Sequence, residues 1–166
     1  MVVLREAVED DLEVIHGIEQ AVYPTAWTLN FFRLMLGMTG GLFLVALENG
    51  EVIGYTVGEM RKMGRKADLK AVGHILNVAV REDCQGMRVG TLLMDEVEGR
   101  LWSKGVGLVY LEVRESNTGA LAMYRKRGYE YVRTAEGYYG DEDGFVMMKR
   151  AHPENEEVEP EDDGPS

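Results

Sequence analysis

One stretch limits the fold more than any other. Residues 74–115 run as an apolar strand, "HILNVAV", a polar turn, "REDCQGMR", an amphipathic segment, "VGTLLMDEVEGRLWS", and a second apolar strand, "GLVYLEVRE". Val89, Leu92, Leu93, Val97 and Leu101 recur at helical spacing, which predicts a helix over roughly 89–103 with that side inward. Two strands joined through a helix cannot form a tight hairpin; they belong to a sheet with the helix on its face.

The flanks read as hairpins and helices. "VVLREA" opens as a short strand. Leu12, Ile15, Ile18 and Val22 mark a first helix, with Asp10 as its expected cap and Pro24 beyond its end. Thr28 caps a second, "LNFFRLMLGM", which stops near Gly40-Gly41. "LFLVALE" and "VIGYTVGEM" flank Asn49-Gly50, a two-residue hairpin signal. "RKMGRKADLK" reads as a basic loop before the strand "AVGHILNVAV". Asn117 caps "TGALAMYRKR", Gly128 ends it, and "YEYVRTAE" and "GFVMMKR" close as an antiparallel pair across "GYYGDED". The predicted order is βααβββαβαββ, an α/β (α+β) domain over residues 1–150 with a mixed sheet and helices on both faces.

Composition removes several functions. The 166 residues suit one core, and no apolar run approaches the roughly 20 residues of a membrane span. No basic and then apolar leader is visible, and the single cysteine, Cys84, rules out a disulfide framework; both fit a cytoplasmic protein. Net charge is −11, with seven of the 29 acids and no Lys or Arg in residues 151–166, read as an acidic disordered tail. This balance argues against nucleic acid as the main ligand. Arg61, Lys62, Arg65, Lys66 and Lys70 form a charged loop that solvation alone explains.

The turn "QGMRVG" lacks the lysine of a P-loop and the three glycines of a dinucleotide fingerprint. It still feeds a strand into a helix start, where unpaired backbone N–H groups and the helix dipole favour an anion, commonly a phosphate. On residues alone, a glycine turn that binds nothing remains open.

Three further segments resemble the GNAT superfamily of acetyl-CoA-dependent N-acetyltransferases, in its RimI and archaeal protein N-alpha-acetyltransferase branch. They are "NVAV" followed by "REDCQGMRVGTLLM", then "LEVRESNTGALAMYRKRGY", then "GYYGDEDGFVMMKR". The resemblance implies an enzyme that uses acetyl-CoA as cosubstrate. Val78, Ala79 and Val80 would run beside its pantetheine. Gln85, Gly86, Met87, Arg88, Val89 and Gly90 would wrap its phosphates, and Thr91 and Asn117 would also touch it. The family pattern has glycine where Arg88 stands.

The resemblance further implies Glu112 or His74 as general base and Tyr124 as acid for the departing thiolate, with no metal. Glu112 and His74 are expected on neighbouring strands. Tyr23, Trp27, Tyr138 and Tyr139 would flank the acceptor. "YPTAW" looks like the bacterial RimI type, and the acidic cluster Asp141, Glu142, Asp143 lies near "GYY". The implied acceptors are protein or peptide N-termini, ribosomal or nascent chains among them, with a monomeric enzyme and no nucleic acid or membrane partner. Acetylation of a lysine or small amine, and a non-catalytic CoA-binding domain, are the competing readings.

Overall fold

The strand–helix–strand unit forms as its pattern requires. In the computed structural model, which describes residues 1–151, β4 (Asp68–Val80) leads through α3 (Val89–Ser103) into β5 (Leu108–Arg114), and β5 lies parallel to β4. The expected acidic tail falls, from residue 152 onward, outside the described residues.

The other strands are β1 (Val2–Glu6), β2 (Phe43–Glu48), β3 (Glu51–Arg65), β6 (Glu130–Ala135) and β7 (Gly144–Arg150), giving a seven-stranded sheet in the order β1-β2-β3-β4-β5-β7-β6. The remaining helices are α1 (Leu12–Val22), α2 (Leu29–Met38) and α4 (Thr118–Lys126). The chain order matches the predicted βααβββαβαββ.

Two apolar clusters hold the layers. One joins α1 and α2, through Leu12, Ile15, Ile18 and Phe32, to Phe43, Val45, Tyr55 and Val57 on one face of the sheet. The other joins α3 and α4, through Val89, Leu93, Val97, Leu101, Leu121 and Tyr124, to Leu44, Ile75, Val109 and Leu111 on the opposite face. Two glycines let α3 settle on that face. A Cβ on Gly58 would meet Val97 Cγ2 at 3.0 Å, and one on Gly73 would meet Leu101 Cδ1 at 2.8 Å.

Local signals behave as their chemistry dictates. Thr28 Oγ1 accepts from the Phe31 N–H and Asn117 Oδ1 from the Ala120 N–H, each closing a helix start. Asn49 and Gly50 turn the β2–β3 hairpin with φ of 51° and 76°.

Three expectations need correction. Asp11, not Asp10, stands at the start of α1; a 3-10 turn over Glu9–Asp11 precedes the helix, and Asp11 accepts from the Val8 N–H and from Arg5. Leu92 is exposed, because the buried stripe of α3 is rotated toward Met94 and Glu98. The segment 61–70 is not a loop. β3 and β4 stay paired to Arg65 and Asp68, so the ribbon projects past the sheet with both faces in solvent. Among the described residues, no helix is long and apolar enough to cross a membrane.

Candidate active site

β4 and β5 pair only from Gly73↔Val109 to Ile75↔Leu111, then part. The wedge between them opens a cavity of about 900 Å³. Its walls are β4 from Ile75 to Val80, the turn that follows, the first residues of α3, β5 from Leu111 to Arg114, α4, and the loops after α1 and before β7.

At one end lies the turn. Gln85, Gly86, Arg88, Val89, Gly90 and Thr91 line the cavity; Met87 does not, and its side chain is half exposed. The amides of Val89, Gly90 and Thr91 open α3, so no carbonyl one turn earlier pairs with them. Gly86 has φ 84° and Arg88 φ 64°. Arg88 therefore adopts the left-handed conformation that glycine takes freely, at a cost of about 1–2 kcal/mol for a residue with a Cβ. An arginine at this cap thus keeps a backbone conformation that glycine takes freely. Open amides, a left-handed cap and a guanidinium suit the pyrophosphate of acetyl-CoA. The wedge runs beside β4, where the pantetheine arm is expected.

Along the wedge, the polar groups expected to meet that arm already have partners. The Val78 N–H donates to Asn77 Oδ1 at 3.1 Å, and the Val78 carbonyl accepts from the Tyr23 hydroxyl. Gln85 Nε2 donates to the Val80 carbonyl at 3.1 Å. Ala79 is buried in the α1–α2 cluster and also borders the cavity. Asn117 caps α4 and faces the same space.

The other end carries the titratable groups. Glu112 lines the cavity. His74 does not, yet its Nε2 lies 2.7 Å from Glu112 Oε2 and its Nδ1 lies 3.1 Å from Glu59 Oε1. The two candidate bases are thus one hydrogen-bonded unit on neighbouring strands. The His74 ring stacks on Tyr110 with centroids 4.3 Å apart. Tyr138 and Tyr139 close the mouth, their rings 4.8 Å apart, and Arg114 sits 4.4 Å over Tyr139. Burial, and then the charge of Glu112, push the Tyr138 phenol up to about 12.

Tyr124 lines the cavity from α4, on the opposite wall from α1. Burial raises its phenol well above the ordinary range, so the hydroxyl keeps its proton at neutral pH. That is the state an acid needs before it acts.

Several residues at the site were not anticipated. Glu19, on the inward face of α1, is 1% exposed and borders the cavity. It accepts from the Trp27 N–H at 3.0 Å, from Asn77 Nδ2 at 2.7 Å and from the Tyr55 hydroxyl. An acid at helical spacing among Ile15, Ile18 and Val22 was the signal available for it. Glu59 carried none. The acidic cluster is spent internally: Arg114 pairs with Asp141 at 2.9 Å and Glu142 at 3.0 Å, and Asp143 accepts from the Gly137 N–H. Arg114 thereby pins the loop that carries Tyr138 and Tyr139.

Comparison with known proteins finds relatives along most of the chain. The model of the acetyltransferase (GNAT) family matches residues 11–129. The N-alpha-acetyltransferase of Saccharolobus solfataricus is 30% identical over 152 residues, covering 88% of this chain and 91% of that protein. The ribosomal protein bS18-alanine N-acetyltransferase of Haemophilus influenzae is 30% identical over 142 residues, covering 82% and 90%. Chaetomium thermophilum Naa20 in complex with a bisubstrate analogue superposes with a TM-score of 0.83 at 25% identity, covering 98% of this chain and 93% of that one.

Proposed function

The chain belongs to the GNAT acetyltransferase family, and we propose that it acetylates the free α-amino group of polypeptide N-termini. The observation that carries the roles is spatial. Glu112 and Tyr124 stand on the walls of one cavity whose far end is the open first turn of α3.

Acetyl-CoA supplies the acyl group, activated as a thioester. Val89, Gly90 and Thr91 offer backbone amides to its phosphates, Arg88 adds charge, and β4 lines the path of its arm. The acceptor amine enters past Tyr23, Trp27, Tyr138 and Tyr139. It forms the new C–N bond as the C–S bond breaks, and it sheds one proton. Glu112 takes that proton, and His74, hydrogen-bonded behind it, fixes the carboxyl group and shares the charge. Tyr124 gives its proton to the departing sulfur, so one proton enters the site and one leaves it.

The acceptor class follows from proton cost. An α-amino group with pKa near 7.7–8.0 is neutral in roughly a tenth or more of molecules at pH 7, whereas a lysine near 10.4 is neutral in roughly one in 2,500. A hydrogen-bonded carboxyl group suffices for the first. The relatives named for N-terminal acetylation support the same acceptor. The buried lone cysteine supports a cytoplasmic setting.

The test is transfer from acetyl-CoA to peptides with free or blocked N-termini and an internal lysine, read by mass on the modified residue. Acetylation of residue one alone establishes the reading. Acetylation of blocked peptides on lysine overturns it.

A further inference from the structure

The ribbon beyond the active site is the feature the reaction does not use. Side chains directly opposed on an antiparallel pair share a face, and every second residue returns to it. Glu59↔His74, Arg61↔Val72, Met63↔Lys70 and Arg65↔Asp68 therefore lie on one face, continuous with Tyr110 and Glu112 on β5. Arg61 Nη1 donates to the Tyr110 hydroxyl at 3.1 Å and Arg61 Nε lies 3.8 Å from Glu59 Oε1, which fixes this continuity. Lys62 faces the other way.

The charge along that face changes sign. Near the cavity mouth it is acidic, with Glu112 and Glu59. Farther out come Arg61, Lys70 and Arg65, with Met63 beside Lys70 and Asp68 the one acid. Segment 61–70 holds five cations in a chain of net charge −11, and every residue in it is exposed. A two-stranded ribbon with solvent on both faces gains little stability by itself. Its length and its cations therefore point outward, to a ligand.

We propose that this face receives an acidic segment of the polypeptide acceptor, downstream of the N-terminus held at Glu112. The inference rests on the N-terminal acetyltransferase reading. From His74 to Lys70 is four residues along β4, about 13 Å, which an extended acceptor spans in about four residues. The acids that matter stand at acceptor positions four to eight.

The experiment uses the full chain and peptides sharing their first three residues, followed by Glu-rich, Gln-rich or Lys-rich sequence at positions four to eight. Initial rates are compared at low salt and in about 0.5 M salt for wild type, the Arg65→Glu/Lys70→Glu double variant, and Lys62→Glu. The expected result is a kcat/KM about tenfold higher for the Glu-rich than the Lys-rich peptide, falling within about twofold at high salt. Arg65→Glu/Lys70→Glu reverses the preference, and Lys62→Glu keeps it. Equal rates on all three peptides overturn the proposal and leave N-terminal acetylation standing. Loss of the preference in Lys62→Glu also overturns it, since net charge and not this face would then be read. Failure to acetylate any peptide overturns the underlying reading, and this inference with it.

Discussion

Glu19→Ala is the perturbation whose cost the structure defines best. The side chain is 1% exposed and receives three donors, the Trp27 N–H, Asn77 Nδ2 and the Tyr55 hydroxyl. Leaving a buried donor without a partner costs about 1–3 kcal/mol. Tyr55 and Asn77 recover part of this, because Asn77 Nδ2 already reaches Tyr55 Oη at 2.9 Å, and cavity water can reach the rest. Loss of buried methylene adds about 0.8 kcal/mol per group. The sum is a destabilisation of about 3–5 kcal/mol, or a drop of roughly 10 °C in Tm for a chain of this size. Glu19→Gln keeps the shape and one acceptor and should cost about 1–2 kcal/mol. Denaturant unfolding measures both. The Trp27 loop should also loosen, raising KM for a peptide more than KM for acetyl-CoA. A Glu19→Ala protein within about 1 kcal/mol of wild type, with unchanged peptide KM, refutes the reasoning.

Other outcomes follow from single groups. Tyr124→Phe should lower kcat by about 10²-fold while KM for acetyl-CoA stays within about twofold, measured by steady-state kinetics. Arg88→Gly should raise stability by about 1 kcal/mol by relieving the left-handed cap, and should weaken CoA binding in calorimetry; a stability loss would remove the strain argument. Hydrogen bonds from Arg5 hold the Asp11 carboxyl below its ordinary range. Its contribution is therefore fully present above the unfolded pKa near 3.9 and is lost as pH falls through the lower folded value. The stability gap between wild type and Asp11→Asn should be flat from pH 7 to about 5 and shrink below about 4.

What the sequence carried was local. Asn49-Gly50, Thr28, Asn117 and Gly128 announce themselves through backbone chemistry within a few residues, and each stands where it was expected. The ribbon at 61–70 was illegible because a strand with solvent on both faces has no apolar alternation to read. Glu19 was passed over because its partners, Tyr55 and Asn77, lie 36 and 58 residues away. His74 and Glu112 were each legible as candidates. That they bond directly, with Glu59 on the other nitrogen of the imidazole, depended on a three-strand register that no single strand encodes.

The parted strands have a further consequence. Beyond Ile75 and Leu111 the sheet has a gap where a neighbour would continue, and side chains fill in for it: Asn77 and Tyr23 on Val78, Gln85 on Val80. The Val78 N–H has one proton to give. A ligand that takes it must evict Asn77 Oδ1, and Asn77 is tied to Glu19, which holds the Trp27 backbone. Filling the gap is thus an exchange of partners rather than a gain of them. Its cost falls on the chain of hydrogen bonds from Asn77 through Glu19 to Trp27, which carries it from β4 to the loop after α1.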